Sequence, residues 1–143
     1  MEIMTETRTD LYLDKSMCQE IVSGRAAHIR ELIESGYLKP LVSTLAPSDP
    51  LLQLGANEVK SILSRTPVKE ILAVERDIKA KEKGLSIAVE PEIKQAILSG
   101  AYVFGTADPE LIAHAEKVED FFGLKIRGPE QLIDLYSHSF TVE

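Results

Sequence analysis

The sequence predicts an α/β domain in which a mainly parallel sheet carries helices on both faces. Two observations carry that expectation. Short, apolar, β-prone runs alternate with stretches of helical periodicity along the whole chain, the pattern of strand–helix–strand units. Cap and stop signals recur between them: Asp-Pro pairs at 49–50 and 108–109 open helices, and Gly36, Gly84 and Gly123 close them. Right-handed crossovers then bring every strand C-terminus to one edge of the sheet.

In chain order, residues 1–9 read as a polar flexible arm, 10–136 as one domain and 137–143 as a C-terminal tail. Asp10–Leu13 is a short strand with Asp14 at its end. Ser16 and Gln19 have capping-box spacing, so a helix is expected to start there and to break near Ser23-Gly24. Arg25–Ser35 is a second helix, with Ala26, Ile29, Leu32 and Ile33 on one face. Tyr37–Ser43 holds the next strand, clearest at Leu41–Ser43, with Pro40 at its start or free side. Asp49-Pro50 opens a helix through Leu51, Leu52, Leu54, Val59, Ile62 and Leu63, with Gly55 as its weak point. Thr66-Pro67, with Glu70, opens another that runs to Lys83. Leu85–Val89 reads equally as a short strand or an extended lead-in to a helix over Glu92–Ser99. Tyr102–Phe104 is the apolar strand around which the C-terminal half is built. It leads into Thr106 and Asp108, then an amphipathic helix over Pro109–Phe122. Leu124–Ile126 is the last strand, and Gly128-Pro129 begins a final helix.

The 143 residues are 44% hydrophobic, enough for one ordinary core. Without Trp, and with 6% aromatic residues, that core rests on Leu, Ile, Val and Ala. A single cysteine, Cys18, excludes an internal disulfide, fits a reducing compartment and reads as a small buried thiol. His28, His114 and His138 lack metal-type spacing. No signal-peptide pattern or apolar run of about 20 residues is present, so the expected location is cytoplasmic. A net charge of -7 argues against broad adhesion to nucleic acid, but the charge is uneven. Residues 60–83 hold seven bases against four acids, net +3; residues 90–143 hold four bases against ten acids, net -6. That basic helix is either an ordinary solvated face or a surface that steers a phosphate backbone.

Asp14 and Asp108 follow different strands, so both fall on the C-terminal edge, where open parallel sheets bind ligands. Each reads either as a plain helix N-cap or as a carboxylate of a metal site. Carboxylates gathered at one edge repel unless a cation lies between them, and hard ions such as Mg²⁺ or Mn²⁺ suit such oxygen donors. Phosphate-binding loops, dinucleotide fingerprints, nucleophile elbows and CxxC pairs are all absent from the sequence.

Several segments together resemble the PIN domains, small Mg²⁺/Mn²⁺-dependent ribonucleases, many of them toxins of toxin–antitoxin pairs. Leu11-Tyr12-Leu13-Asp14-Lys15-Ser16 is similar to their opening strand, and Leu41-Val42-Ser43 to their second. The most specific match runs from Glu90 through Ile93, Ala96-Ile97 and Gly100-Ala101 to Thr106-Ala107-Asp108. Gly123-Leu124-Lys125-Ile126-Arg127-Gly128-Pro129-Glu130 is similar to the closing strand and helix start. The resemblance spans most of residues 10–136, and is thin from Thr44 to Gly84.

What the resemblance implies is a three-layer α/β/α domain with strand order 3-2-1-4-5. It implies Asp14 as the first metal-binding acid and Asp108 as the last. Glu90 stands where the family more often has Asp, with Glu92 as its substitute. The second acid is expected on the helix after the second strand, as Glu58, with Asp49 as runner-up. Ser16, Ser43 and Thr106 would hold the acids by hydrogen bonds. Lys15 departs from the commoner Thr, and either points outward or neutralises the acids in place of an ion. The implied activity is endonucleolytic cleavage of single-stranded RNA by a metal-activated water. The alternatives are a degenerate PIN-like module that binds RNA or protein without cleaving, and an unrelated α/β domain whose acids are only caps. Implied partners are RNA, an antitoxin-type protein and a second copy in a homodimer.

Overall fold

The computed structural model describes residues 11–43, 49–59, 63–84 and 91–132. Five parallel strands form one sheet: β1 (Leu11–Leu13), β2 (Leu41–Val42), β3 (Asn57–Glu58), β4 (Val103–Gly105) and β5 (Lys125–Arg127). Their order is β3-β2-β1-β4-β5, and every pairing is parallel. The helices are α1 (Lys15–Val22), α2 (Ala27–Glu34), α3 (Asp49–Leu54), α4 (Val68–Glu82), α5 (Pro91–Ser99), α6 (Pro109–Ala113) and α7 (Ala115–Phe122). A further helical turn stands at 129–132.

Strand alternation divides the core into two halves. Leu11, Leu13, Val42 and Val103 face Met17, Cys18 and Ile21 of α1, Ile29, Leu32 and Ile33 of α2, and Leu51 of α3. Tyr12, Leu41, Phe104 and Ile126 face Ile93 and Ala96 of α5, Leu111 of α6 and Val118 of α7. Tyr12 and Phe104 are in register on adjacent strands, and their rings stack with centroids 5.3 Å apart. The three layers are therefore helix, sheet, helix, as the sequence predicts.

Gly105 shows how closely β4 is packed. A Cβ there would lie 2.9 Å from both Leu13 Cδ2 and Leu132 Cδ1, and those two side chains are fully buried and cannot swing into solvent. Gly105→Ala is expected to cost about 1–3 kcal/mol, read as a lower urea midpoint with an unchanged slope.

Four details correct the expectations. The helix from Asp49 ends at Leu54, because Gly55 turns the chain at φ 130°. The Asn57 amide then donates to the Pro40 carbonyl at 2.8 Å and starts β3. The third strand is therefore Asn57–Glu58, and Glu58 lies on a strand rather than a helix, paired with Val42. Leu85–Val89 lies outside the described residues. Asp14, not Ser16, caps α1, because its carboxylate accepts the Met17 amide. The helix expected over Pro109–Phe122 is divided at His114, whose φ of -103° and ψ of 16° leave the helical region. Finally, β4 and β5 each sit one residue further along than expected, leaving Tyr102 before β4 and 53% exposed.

Candidate metal centre at the sheet edge

The strand order reverses between β1 and β4, so the crevice of the sheet opens above their C-terminal ends. Backbone bonds carry both strands beyond their formal ends. The Asp14 amide donates to the Gly105 carbonyl at 3.0 Å, and the Thr106 amide to the Arg127 carbonyl at 2.9 Å. Asp14 and Thr106 are thus fixed side by side by the ladder itself.

Asp14 is 6% exposed and Thr106 fully buried. Asp14 Oδ1 accepts the Ser16 hydroxyl at 2.7 Å and the Met17 amide at 2.9 Å. Its Oδ2 accepts the Thr106 hydroxyl at 2.6 Å. The two hydroxyls also act as acceptors: Ser16 Oγ takes the Ala107 amide at 2.8 Å, and Thr106 Oγ1 the Asp108 amide at 3.0 Å. The loop after β4 is therefore tied to the start of α1 through Ser16 and Thr106. Asp108 is half-buried and caps α6, its Oδ1 accepting the Glu110 amide at 3.0 Å.

Burial pushes the Asp14 carboxyl above its ordinary value. The hydrogen bonds from Thr106, Met17 and Ser16 pull it back, and the charge of Asp108 pushes it up again. The strongest influences on Asp14 include no cation. Among the described residues neither Asp14 nor Asp108 enters an ion pair. Lys15 is exposed, and its side chain makes no ion pair among the described residues.

A second polar network supports the first from below. The Tyr12 hydroxyl donates to Glu92 Oε1 at 3.1 Å, and the Lys15 amide to Glu92 Oε2 at 3.1 Å. Ser43 donates to Gln95 Oε1 at 2.6 Å and also hydrogen-bonds Tyr12. Burial, together with the nearby Glu92 charge, holds the Tyr12 hydroxyl protonated far above the ordinary range. Glu92 therefore braces the β1–α1 junction with both carboxylate oxygens engaged, and Ser43 serves this network through Gln95. Sequence reasoning missed Tyr12 and Gln95. The available signal was a hydroxyl-tipped aromatic in an otherwise aliphatic strand, one that seeks a partner when buried. Cys18 is buried as expected; burial, aided by the charges of Glu92 and Asp14, pushes its thiol up to about 12.

The structure therefore brings Asp14, Ser16, Thr106 and Asp108 together. Glu58 stands on β3, two strands from β1, or about 10 Å at ordinary strand spacing. Glu90 and the Asp49 side chain lie outside the described residues. Among the described residues no group of three or more His, Cys, Asp or Glu side chains is placed to hold a metal ion. The cleft of about 300 Å³ between α4 and α5, lined by Glu75, Ile78, Lys79, Glu82, Pro91 and Lys94, contains none of the site residues. Among the described residues no helix is long and apolar enough to cross a membrane.

Thr106 is the joint of the site. Thr106→Val keeps the shape but leaves Asp14 Oδ2 and the Asp108 amide each short of a partner, at an expected cost of about 1–3 kcal/mol. With its leading hydrogen bond gone, the Asp14 carboxyl rises further, so the pH at which it ionises moves up. Urea unfolding and calorimetry across a pH series measure the two effects.

No family model, curated protein or solved structure matches the chain.

Proposed function

We propose that the chain is a metal-dependent endoribonuclease of PIN type that cleaves single-stranded RNA. The observation that carries this reading is Asp14 and Asp108 drawn together by Thr106 at the switch point of a parallel sheet, with no cation pairing either among the described residues. The donors present are hard carboxylate oxygens. Mg²⁺ keeps several waters and is ordinarily held by one or two carboxylates, so this donor set fits it or Mn²⁺. Bound there, such an ion supplies an activated water and positive charge for the developing phosphorane.

The chain's own residues supply orientation. Ser16 and Thr106 fix the plane of the Asp14 carboxylate, and the α6 cap fixes Asp108. Glu92 of α5 holds the backbone amide of Lys15, the residue after Asp14. Glu90, the third acid that the family resemblance implies, lies outside the described residues. Lys15, next to Asp14 in sequence, is exposed and makes no ion pair among the described residues.

Calorimetric titration with Mn²⁺, followed by incubation with single-stranded RNA, tests the reading. The wild type is expected to bind Mn²⁺ and cleave, and Asp14→Asn to do neither. A folded wild type that binds no Mn²⁺ would overturn it and leave a non-cleaving module.

A further inference from the structure

We propose that the outward face of α4 is a docking strip for the backbone of single-stranded RNA. Lys69, Arg76, Lys79 and Lys83 are all exposed, with Leu72 (47% exposed) between the first two; Lys79, at the border of the strip, also lines the cleft with α5 beside Glu75 and Glu82. Positions 69, 72, 76, 79 and 83 follow one another at intervals of three or four. At about 100° per residue this gathers all five into a strip about 80° wide and about 21 Å long. Glu70, Glu75, Asp77 and Glu82 fall outside that strip on the same projection. Two of those acids are occupied at its flanks: Glu75 with Lys94 of α5 at 3.3 Å, and Asp77 with Lys81 at 3.1 Å. Lys81 points away from the strip, over the Phe122 ring of α7 at 5.8 Å.

Helix stability does not account for the strip. Among the described residues none of its four cations forms an ion pair. Lys79 and Lys83 complement the negative C-terminal end of the helix, but Lys69 sits in the first turn, where a cation opposes the macrodipole. In a chain of net charge -7, four unpaired cations in line are a local reversal of sign. That fits a linear polyanion. A membrane surface fits less well, because Leu72 lies among the cations rather than on a separate apolar face that could enter lipid.

The choice of RNA rests on the function proposed above, so the test separates the two. Binding of a fluorescent single-stranded RNA is measured by anisotropy in EDTA, on wild type, on Asp14→Asn and on the quadruple variant Lys69→Gln/Arg76→Gln/Lys79→Gln/Lys83→Gln. A control with the same change in net charge is Arg25→Gln/Arg30→Gln/Lys39→Gln/Lys117→Gln. Single strands contribute a slope of about -0.7 in log K against log salt per neutralised phosphate, so four cations give about -2.8. The wild type, Asp14→Asn and the control are expected to keep that slope, and the quadruple variant to lose most of it. A quadruple variant that binds like the control overturns the strip, even if Mn²⁺ binds at Asp14. Binding of phosphatidylserine vesicles, but not RNA, in a manner lost in the quadruple variant, also overturns it.

Discussion

Asp14→Asn is expected to abolish Mn²⁺ binding while leaving the protein at least as stable as wild type at pH 7. The amide keeps one oxygen to accept the Met17 amide and the Ser16 hydroxyl, as Oδ1 does now. Its nitrogen donates to Thr106 Oγ1, and the Thr106 proton turns to Ser16 Oγ, 3.1 Å away. No hydrogen bond is orphaned, whereas the buried charge is removed. The loss in affinity exceeds the roughly 10–100-fold that follows removal of a hydrogen bond to a ligand, because a ligating charge itself is gone.

The pH dependence of stability has a definite sign. Asp14 is held above its ordinary value of 3.8 in the folded protein, so the fold binds that proton more tightly than the unfolded chain does. The stability this contributes is complete below 3.8 and is lost as pH rises through the elevated folded value. At neutral pH the ionised carboxylate is therefore a net burden, and Asp14→Asn is free of it. In urea unfolding across a pH series, the advantage of the variant should close as pH falls towards 3.8. An advantage that widens on acidification would contradict the assignment.

The second large effect concerns the core. Phe104→Ala is expected to cost about 3–5 kcal/mol, a large part of the roughly 5–15 kcal/mol that holds a domain of ordinary stability. Phe104 is fully buried, stacks on Tyr12 and packs in the half of the core with Ile93, Leu111 and Ile126. Its removal leaves a cavity at the centre of the sheet, two residues before Thr106. Tyr102→Ala provides the contrast. That side chain is 53% exposed and meets Lys125 at 5.3 Å, so its loss is expected to cost under about 1 kcal/mol. Urea midpoints of the two variants, compared at equal slope, make the measurement.

The gathering of the strand ends on one edge was legible because it follows from the alternation of strands and helices and from crossover handedness, whereas the strand order was what the family resemblance implied. Asp14 and Asp108 each follow a short apolar run, and in a parallel sheet such residues share one edge whatever the intervening helices do. Glu58 was misread for a local reason: Leu51, Leu52, Leu54, Val59 and Leu63 keep helical spacing across Gly55, but a glycine at φ 130° ends the helix and lets two residues pair with β2. A two-residue strand carries almost no pattern of its own. Ser16 shows the opposite error. Its spacing to Gln19 has the form of a capping box, but the helix already begins at Lys15 and is capped by Asp14, whose carboxylate accepts the Met17 amide. The partnership of Tyr12, Glu92 and Gln95 joins residues about 80 apart in sequence, and no local spacing encodes it.

The ladder bonds that run on past β1 and β4 also bear on how the molecule breathes. The amides of Asp14 and Thr106 are held by the carbonyls of Gly105 and Arg127, so their protons can exchange with solvent only when β1 parts from β4 and β4 from β5, respectively. Many ligand-binding edges are drawn from loops that open cheaply, but these two amides belong to the sheet ladder. An arriving ion would meet carboxylates already in place, and its binding would report on the integrity of the whole sheet rather than on the motion of a loop.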